Sequence, residues 1–203
     1  MGLALDPDAL LTTTRSVRRR LDVERPVERE VLEECLAIAQ QAPTGGNAQA
    51  WAFVVVTDAD KRRGLAALFR DVAQRYLAAN TGSSEGIRAG VQRLSDHLHE
   101  VPVHVIPCIT GRTDGQPGNR QAGVWGSIMP AVWSFMLAAR SRGLGTVWTT
   151  FHLEHEREAA DLLGIPFDDV MQAALIPVAY SVGTDFRPAP REPLEQMVHW
   201  DSW

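Results

Sequence analysis

A run of basic residues near the N-terminus is the first segment that could bind a ligand. Arg15, Arg18, Arg19 and Arg20 lie within six residues of one another, and Ser16 adds a hydroxyl group. Guanidinium groups match the oxygens of a phosphate with pairs of hydrogen bonds. The same run is also typical of a solvated basic helix end. Its spacing alone leaves both interpretations open.

A second candidate is the segment from Ala42 to Trp51, which reads Ala-Pro-Thr-Gly-Gly-Asn-Ala-Gln-Ala-Trp. Its two glycines allow the backbone to approach a ligand closely, and Thr44, Asn47 and Gln49 carry hydrogen-bonding groups. A turn between a helix and a strand uses the same residue types. The segment therefore indicates either a ligand-binding loop or an ordinary turn.

Two later segments also contain possible ligand-binding groups. The stretch 143–150 begins Gly-Leu-Gly, but it lacks the third glycine of a dinucleotide loop. It also follows a helix and precedes a strand, the reverse of the Rossmann order. Arg187 and Arg191 lie four residues apart in a proline-rich stretch, so they could bind a phosphate or belong to a surface loop.

Patterns for other kinds of chemistry are missing from the sequence. The six histidines form no zinc-binding pattern, and there is no Gly-x-Ser-x-Gly motif. Neither Cys35 nor Cys108 has a catalytic context, and both lie in apolar runs typical of buried thiols. We therefore predict no metal site and no nucleophilic side chain. Any chemistry would come from a bound cofactor.

Composition narrows the class of protein. The chain has 203 residues, of which 45% are hydrophobic and 22% are charged, and this is typical of a folded globular domain. A net charge of -5 argues against a broad nucleic-acid-binding surface. With two cysteines, no signal-peptide pattern and no apolar run near the ~20 residues of a membrane span, we expect a cytoplasmic protein.

Hydrophobic periodicity predicts alternating helices and strands around one sheet. We expect helices over 28–42, 58–79, 86–99, 122–142 and 154–163, and strands over 51–57, 101–110, 146–151 and 171–180. Pro102 and Pro107 indicate that the strand over 101–110 lies at a sheet edge or carries a bulge. The pattern favours an α+β fold with three layers.

Two features predict a dimer. Apolar residues cover most of the circumference of the long helix, namely Ile128, Met129, Val132, Trp133, Phe135, Met136 and Leu137. A helix that is apolar all round must be buried on all sides. The C-terminal tail ends in Trp200 and Trp203, and solvated tails seldom do, so we expect it to pack against another surface.

Taken together, the four candidate segments resemble the nitroreductase family of FMN-dependent oxidoreductases, in the family's order and at about its separations from Arg15 to Leu194. The resemblance implies one FMN-binding domain over residues 1–203. It also implies a three-layer α/β/α fold with a mostly antiparallel central sheet and the long helix at a homodimer interface. The tail from about residue 184 would pack on the partner subunit.

The resemblance also assigns residues to the flavin. The Arg-Ser-x-Arg stretch implies that Arg15, Ser16 and Arg18 hold the phosphate or the pyrimidine edge. The second segment implies that Pro43, Thr44 and Asn47 reach the flavin bound mainly by the other subunit.

The later segments complete the implied site. Trp148, Thr149 and Thr150 would lie against the flavin ring, with a backbone N–H directed at its N5 atom. Arg191 would clamp the phosphate, with Arg187 as a possible second member.

The implied reaction transfers hydride from NADPH or NADH to a nitroaromatic or a quinone by a ping-pong mechanism. The alternative is a protein of the same fold that binds or consumes flavin without turnover. The sequence departs from the family pattern at Ala50, Ala179 and Ala189, the last at a clamp position that is often lysine. Residues 76–96, which would cover the flavin, match no pattern.

Overall fold

The computed structural model describes residues 2–203, which contain six α-helices and six β-strands. The helices are α1 (Pro7–Thr13), α2 (Arg29–Ala39), α3 (Ala59–Ala79), α4 (Glu85–His97), α5 (Gly118–Ser141) and α6 (Glu156–Leu163). The strands are β1 (Leu21–Asp22), β2 (Trp51–Val56), β3 (Val103–Thr110), β4 (Leu144–Thr146), β5 (Val170–Gln172) and β6 (Ile176–Ser181).

One six-stranded sheet forms the middle of the molecule, and all of its paired strands are antiparallel. Strand β3 is central. It pairs with β2 along one side, and with β6 and then β5 along the other. Strand β6 also pairs with β4 and β1.

Helices cover both faces of this sheet. Because successive side chains of a strand point to opposite faces, Ile106 and Cys108 lie in the core beneath α3, α4 and α6. Val105 and Ile109 lie in the second core, beneath α2 and α5. The predicted α+β class, three-layer α/β/α arrangement and mostly antiparallel sheet are therefore confirmed. Both cysteines are free and buried, one in each core.

Local signals position the long helices. The side chain of Asp58 accepts a hydrogen bond from the backbone N–H of Lys61 at 2.9 Å, so α3 begins at the predicted N-cap. Helix α5 begins at Gly118, four residues before the predicted start at Ala122. It ends just before Gly143, whose φ of 80° is a conformation that favours glycine.

Helix α5 is not buried all round within one chain. Ile128, Val132 and Phe135 are fully buried, whereas Met129 is 49% exposed and Trp133 is 41% exposed. Its most apolar 18 residues have a mean hydropathy of 1.4, which would permit a membrane span by length and composition. The expectation that no apolar run approaches such a length was therefore wrong. The helix packs on α2 and on the sheet, as core helices do.

Of the two alternatives for the strand over 101–110, a sheet edge or a bulge, the edge position was wrong, because β3 has partners on both sides. Pro107 is tolerated because it lies between the segment paired with β6 and the segment paired with β5. Its carbonyl accepts a hydrogen bond from Ala173 N–H at 2.8 Å, and its missing N–H faces the gap between the two partner strands.

Two other predicted strands are interrupted. The strand expected over 171–180 is divided into β5 and β6, because Leu175 pairs instead with Thr149. The strand expected over 146–151 ends at Thr146 and is followed by a 3₁₀ helix at Phe151–His155. Alternating hydrophobicity cannot distinguish one long strand from two short strands with different partners.

The C-terminal tail, residues 187–203, is exposed almost throughout. Trp200 is 85% exposed and Trp203 is fully exposed. No contact within residues 2–203 therefore buries the two tryptophans that led us to expect a docked tail.

Two histidines are fully buried on the α3 side of the sheet. His104 hydrogen-bonds the carbonyl of Leu98 through Nε2 at 2.9 Å. His152 makes no hydrogen bond of normal geometry among residues 2–203, and the nearby Gln172 side chain only partly opposes the effect of burial on its pKa. Burial lowers the pKa of each of these imidazoles to about 4. Both are therefore neutral in the folded protein at pH 7.

We predict that acid destabilises the fold through these histidines. An unfolded imidazole has a pKa near 6.5, so between about pH 6.5 and pH 4 the unfolded chain binds more protons than the folded one. The free energy of unfolding should fall by about 2 kcal/mol for each histidine between pH 7.5 and pH 5. Urea unfolding at both pH values should show this loss, and His152→Leu should reduce it. A His199→Gln control in the exposed tail should leave the loss unchanged. An unchanged pH dependence in His152→Leu would contradict the assignment of this loss to the buried histidines.

Candidate functional site

The basic N-terminal run forms an extended segment beside β4. The backbone N–H of Val17 donates to the carbonyl of Thr146 at 2.9 Å, and Ser16 forms a parallel bridge with the same residue. Val17 is buried in the core, whereas Ser16 is exposed and Arg18 is half-buried. The helix-end interpretation of this run is therefore excluded.

A cavity of about 430 Å³ lies against this segment. Ser16 and Arg18 line it together with Arg19, Arg20, Gly86, Gly90 and Phe186. A smaller cavity of about 120 Å³ adjoins Arg18 on another side, and its lining includes the whole Trp148–Phe151 stretch. Arg18 lines both cavities, so the structure brings Ser16, Arg18 and the predicted Trp148–Thr150 segment to one place.

Arg18 is a half-buried cation without a counter-charge. It makes no ion pair and no side-chain hydrogen bond with any residue in 2–203, and burial lowers its pKa, a change that Tyr76 partly opposes. Arg62, by contrast, donates to the carbonyls of Thr57, His99 and Val101. An arginine kept partly desolvated and unpaired is the expected state of an anion-binding residue without its ligand.

The Trp148–Thr150 segment is held by hydrogen bonds to Leu175. Both the N–H and the hydroxyl of Thr149 donate to the Leu175 carbonyl, at 3.1 and 2.7 Å, and Leu175 N–H donates back at 2.9 Å. The Thr149 N–H is therefore not available to a ligand. The N–H of Thr150 has no partner among residues 2–203 and remains available.

Helix α4 covers the site. Most of this helix belongs to the segment 76–96, which matched no sequence pattern. Gly90, Val91 and Leu94 of this helix line the two cavities beside Arg18. A Cβ atom on Gly90 would lie only 3.2 Å from Cδ of Arg18, so the glycine makes room for the arginine side chain.

The Pro43–Asn47 loop lies at a different cavity. Gly45 N–H donates to Ser127 Oγ at 3.2 Å, and Thr44 lines a cavity of about 540 Å³ together with Ser127 and Arg120. Asn47 accepts a hydrogen bond from Gln49 at 3.1 Å, and Pro43 and Asn47 are exposed. Within one chain the structure therefore does not bring this loop to Ser16 and Arg18.

The remaining predicted residues are arginines near or beyond the rim of the site. Arg15 is half-buried. Arg187 is exposed and directly follows Phe186, which lines the larger of the two cavities beside Arg18. Neither arginine makes an ion pair or side-chain hydrogen bond within residues 2–203. Arg191 lies farther along the exposed tail, where it donates only to the carbonyl of Pro190.

Sequence reasoning missed three residues that line the larger of the two cavities beside Arg18, namely Gly86, Gly90 and Phe186. Two glycines four residues apart on a helix form a small-residue stripe, and this signal could have indicated close packing on that face. Nothing in the sequence distinguishes Phe186 from any other apolar loop residue.

Comparison with known proteins connects this arrangement with a family. A sequence model described as the Nitroreductase family matches residues 11–180, which include Arg15, Ser16 and Arg18, the Pro43–Asn47 loop and the Trp148–Thr150 segment. The chain belongs to the Nitroreductase family. The resemblance drawn from its four motifs is thereby confirmed.

The proteins that this chain resembles are named for different activities. The chain is 34% identical over 149 residues to the 5,6-dimethylbenzimidazole synthase of Rhodospirillum rubrum, a match that covers 70% of this chain and 68% of the relative. An iodotyrosine deiodinase solved with FMN and 3-iodo-L-tyrosine superposes with a TM-score of 0.72 at 23% identity, covering 96% of this chain and 98% of the deiodinase.

A mutant of NfnB, an FMN- and NADPH-dependent nitroreductase derived from a sphigopyxis species, superposes with a TM-score of 0.71. Its identity to this chain is 22%, and the match covers 98% of this chain and all of the mutant. At these identities the two superpositions establish a shared nitroreductase fold.

We predict that replacing Arg18 stabilises the protein without its ligand. Arg18→Met removes an unpaired, partly desolvated charge and keeps the apolar contacts of the side chain, so the free energy of unfolding should rise by roughly 0.5–1 kcal/mol. The matched control Arg62→Met leaves three carbonyls without their donor and should lower it by about 2 kcal/mol. Urea unfolding at pH 7 measures both. A destabilised Arg18→Met protein would show that the charge is compensated within the chain.

Proposed function

We propose that this chain is a cytoplasmic FMN-dependent oxidoreductase that acts as a homodimer. It would transfer hydride from NADH or NADPH to an electron-poor acceptor such as a nitroaromatic or a quinone. The observation that carries the proposal is the half-buried, unpaired Arg18 at the junction of two cavities, beside the free N–H of Thr150.

The residues present fit the charge of FMN. A flavin phosphate carries about two negative charges, and such a group favours several guanidinium donors at one place. Arg15 and Arg18 lie in the extended segment beside β4, and Arg187 follows the cavity-lining Phe186. None of these three arginines is paired within residues 2–203. We assign them, with Ser16 and Arg191, to the flavin phosphate and the polar edge of the ring.

The residues also fit the flavin ring. Phe69, Val91 and Leu94 offer an apolar lining next to Trp148, and Thr150 offers a backbone donor. The Thr149–Leu175 hydrogen bonds hold this donor in a fixed position. We therefore assign the N5 contact to Thr150 and the ring contacts to Trp148 and Thr149.

FMN, when bound, would supply the hydride chemistry, accepting two electrons from the nicotinamide and passing them to the acceptor. The chain's own groups would bind and orient: the arginines hold the anionic end, and helix α4 limits access from above Arg18. No side chain of the site needs to move a proton, because solvent can supply it. Donor and acceptor would use the same face in turn, which gives a ping-pong mechanism.

A homodimer accounts for features that one chain leaves incomplete. Pro43, Thr44 and Asn47 line or adjoin a cavity other than that of Ser16 and Arg18, and a loop from a second copy would bring both groups to one flavin. Met129 and Trp133 expose an apolar stripe on α5, and the tail exposes two tryptophans. These surfaces favour association.

A second function is favoured by one observation. The relative with 34% identity is a 5,6-dimethylbenzimidazole synthase rather than a nitroreductase. The alternative is therefore a protein of this fold that binds or consumes flavin without turning over NAD(P)H.

We predict that the purified protein binds FMN and that NADH or NADPH bleaches its visible bands under anaerobic conditions. Adding a nitroaromatic or a quinone should restore the bands. Arg18→Ala should weaken FMN binding by about tenfold or more, because it removes charge-assisted hydrogen bonds, whereas Arg29→Ala on the exposed face of α2 should not. Bound flavin that neither nucleotide reduces would favour the alternative. Failure to bind FMN would refute both functions.

We also predict a dimer that depends on the tail. Sedimentation should give a dimeric mass, and Trp200→Ala combined with Trp203→Ala should shift the equilibrium toward monomer, because large aromatic side chains dominate such interfaces. Leu11→Ala, at an exposed apolar position on α1, serves as the control. A monomeric wild-type protein that retains FMN would contradict this prediction.

A further inference from the structure

A five-residue segment, 182–186, fixes the point from which the C-terminal tail departs. Val182 N–H donates to the Arg20 carbonyl at 2.8 Å, and Arg20 Nε donates to the Val182 carbonyl at 2.7 Å. Arg20 also forms an ion pair with Asp185. We call residues 182–186, together with Arg20 and Arg140, the Phe186 anchor. The residues beyond it are exposed.

Arg140 holds the same segment from the last turn of α5. Its side chain is 4% exposed and donates to the carbonyl of Thr184 at 2.9 Å. Its Nε and Nη1 atoms have no hydrogen-bond partner among residues 2–203. A buried guanidinium with a single hydrogen bond is costly for stability, so its retention points to a task other than packing.

The ring of Phe186 contacts both arginines. The guanidinium carbon of Arg20 lies 4.7 Å from the ring centroid, and that of Arg140 lies 4.8 Å from it. Each cation is attracted to the ring, and together they restrict its orientation. These ring contacts, together with the hydrogen bonds to the Val182 and Thr184 carbonyls, constrain the backbone of residues 182–186.

This constraint acts at the candidate site. Phe186 lines the cavity of Ser16 and Arg18, and the next residue, Arg187, is exposed and unpaired within residues 2–203. The rest of the tail has few contacts, so the anchor alone sets where Arg187 leaves the folded body.

We propose that Phe186, whose ring is held by Arg20 and Arg140, is a positioning residue that directs Arg187 at the phosphate of FMN. This inference rests on the proposed function. It gives Arg187 the phosphate-binding role that Ala189, in the clamp position, cannot fill.

The test compares two flavins that differ by the phosphate. FMN and riboflavin binding are measured by fluorescence titration for the wild-type protein, Phe186→Ala, Phe186→Leu and Arg187→Ala. Each variant should bind FMN about tenfold more weakly and riboflavin with unchanged affinity, because one charge-assisted interaction with the phosphate is lost. Phe186→Ala combined with Arg187→Ala should cost no more than either change alone. Phe186→Tyr keeps the ring and should restore binding.

A matched control exists elsewhere in the chain. Arg112 and Arg157 lie over the ring of Phe167 at 4.1 and 4.0 Å, an arrangement similar to the anchor that lines neither cavity beside Arg18. Phe167→Ala should lower the unfolding midpoint at least as much as Phe186→Leu and leave the ratio of FMN to riboflavin affinity unchanged.

Three results would overturn the inference. These are unchanged FMN binding in Phe186→Ala, equal weakening of FMN and riboflavin, and additive losses in the double variant. In each case wild-type binding of FMN would leave the proposed function standing. A wild-type protein that binds neither flavin would refute the proposed function, and the positioning role with it.

Discussion

The burial of β3 on both faces is the constraint on which the rest of the structure depends. Each residue from Val103 to Ile109 is buried, so the strand needs an apolar layer above and below it. Helices α3, α4 and α6 provide one layer, and α2 and α5 provide the other. Because β3 also has hydrogen-bonded partners on both sides, the groups that can bind a ligand lie toward the sheet edges and in the loops.

The candidate site lies at one such edge, beside β4, and it combines rigid backbone with unsatisfied charge. The Thr149–Leu175 hydrogen bonds and the Val17–Thr146 hydrogen bond fix two neighbouring segments of chain. Arg18 is left partly desolvated between them without a partner. A rigid backbone beside an unpaired charge is typical of functional sites, where a bound ligand compensates for a group that lowers stability. The Phe186 anchor repeats the pattern with Arg140, whose buried Nε and Nη1 atoms also lack partners among residues 2–203.

The shared fold does not by itself select a reaction. Proteins of this family and fold include a benzimidazole synthase, a deiodinase and a nitroreductase, according to their names. What they share with this chain is the layered scaffold, whereas function depends on the groups over the ligand. In this chain the cavity beside Ser16 and Arg18 is lined by residues of α4 and of the start of the tail. Gly90 leaves space for Arg18, and Phe186 closes one side of the cavity.

The sequence by itself determined the fold class, the N-cap of α3 at Asp58 and the family, because these depend on local periodicity, capping chemistry and ordered motifs. It indicated Ser16, Arg18 and Trp148–Thr150 as neighbours only through resemblance. Tertiary structure alone decided that β3 is central despite Pro107, that Leu175 pairs with Thr149, and that Phe186 lies beside Arg18. These outcomes depend on strand partners and contacts between residues far apart in the chain, and no local pattern of side chains specifies which distant segment will occupy a given edge.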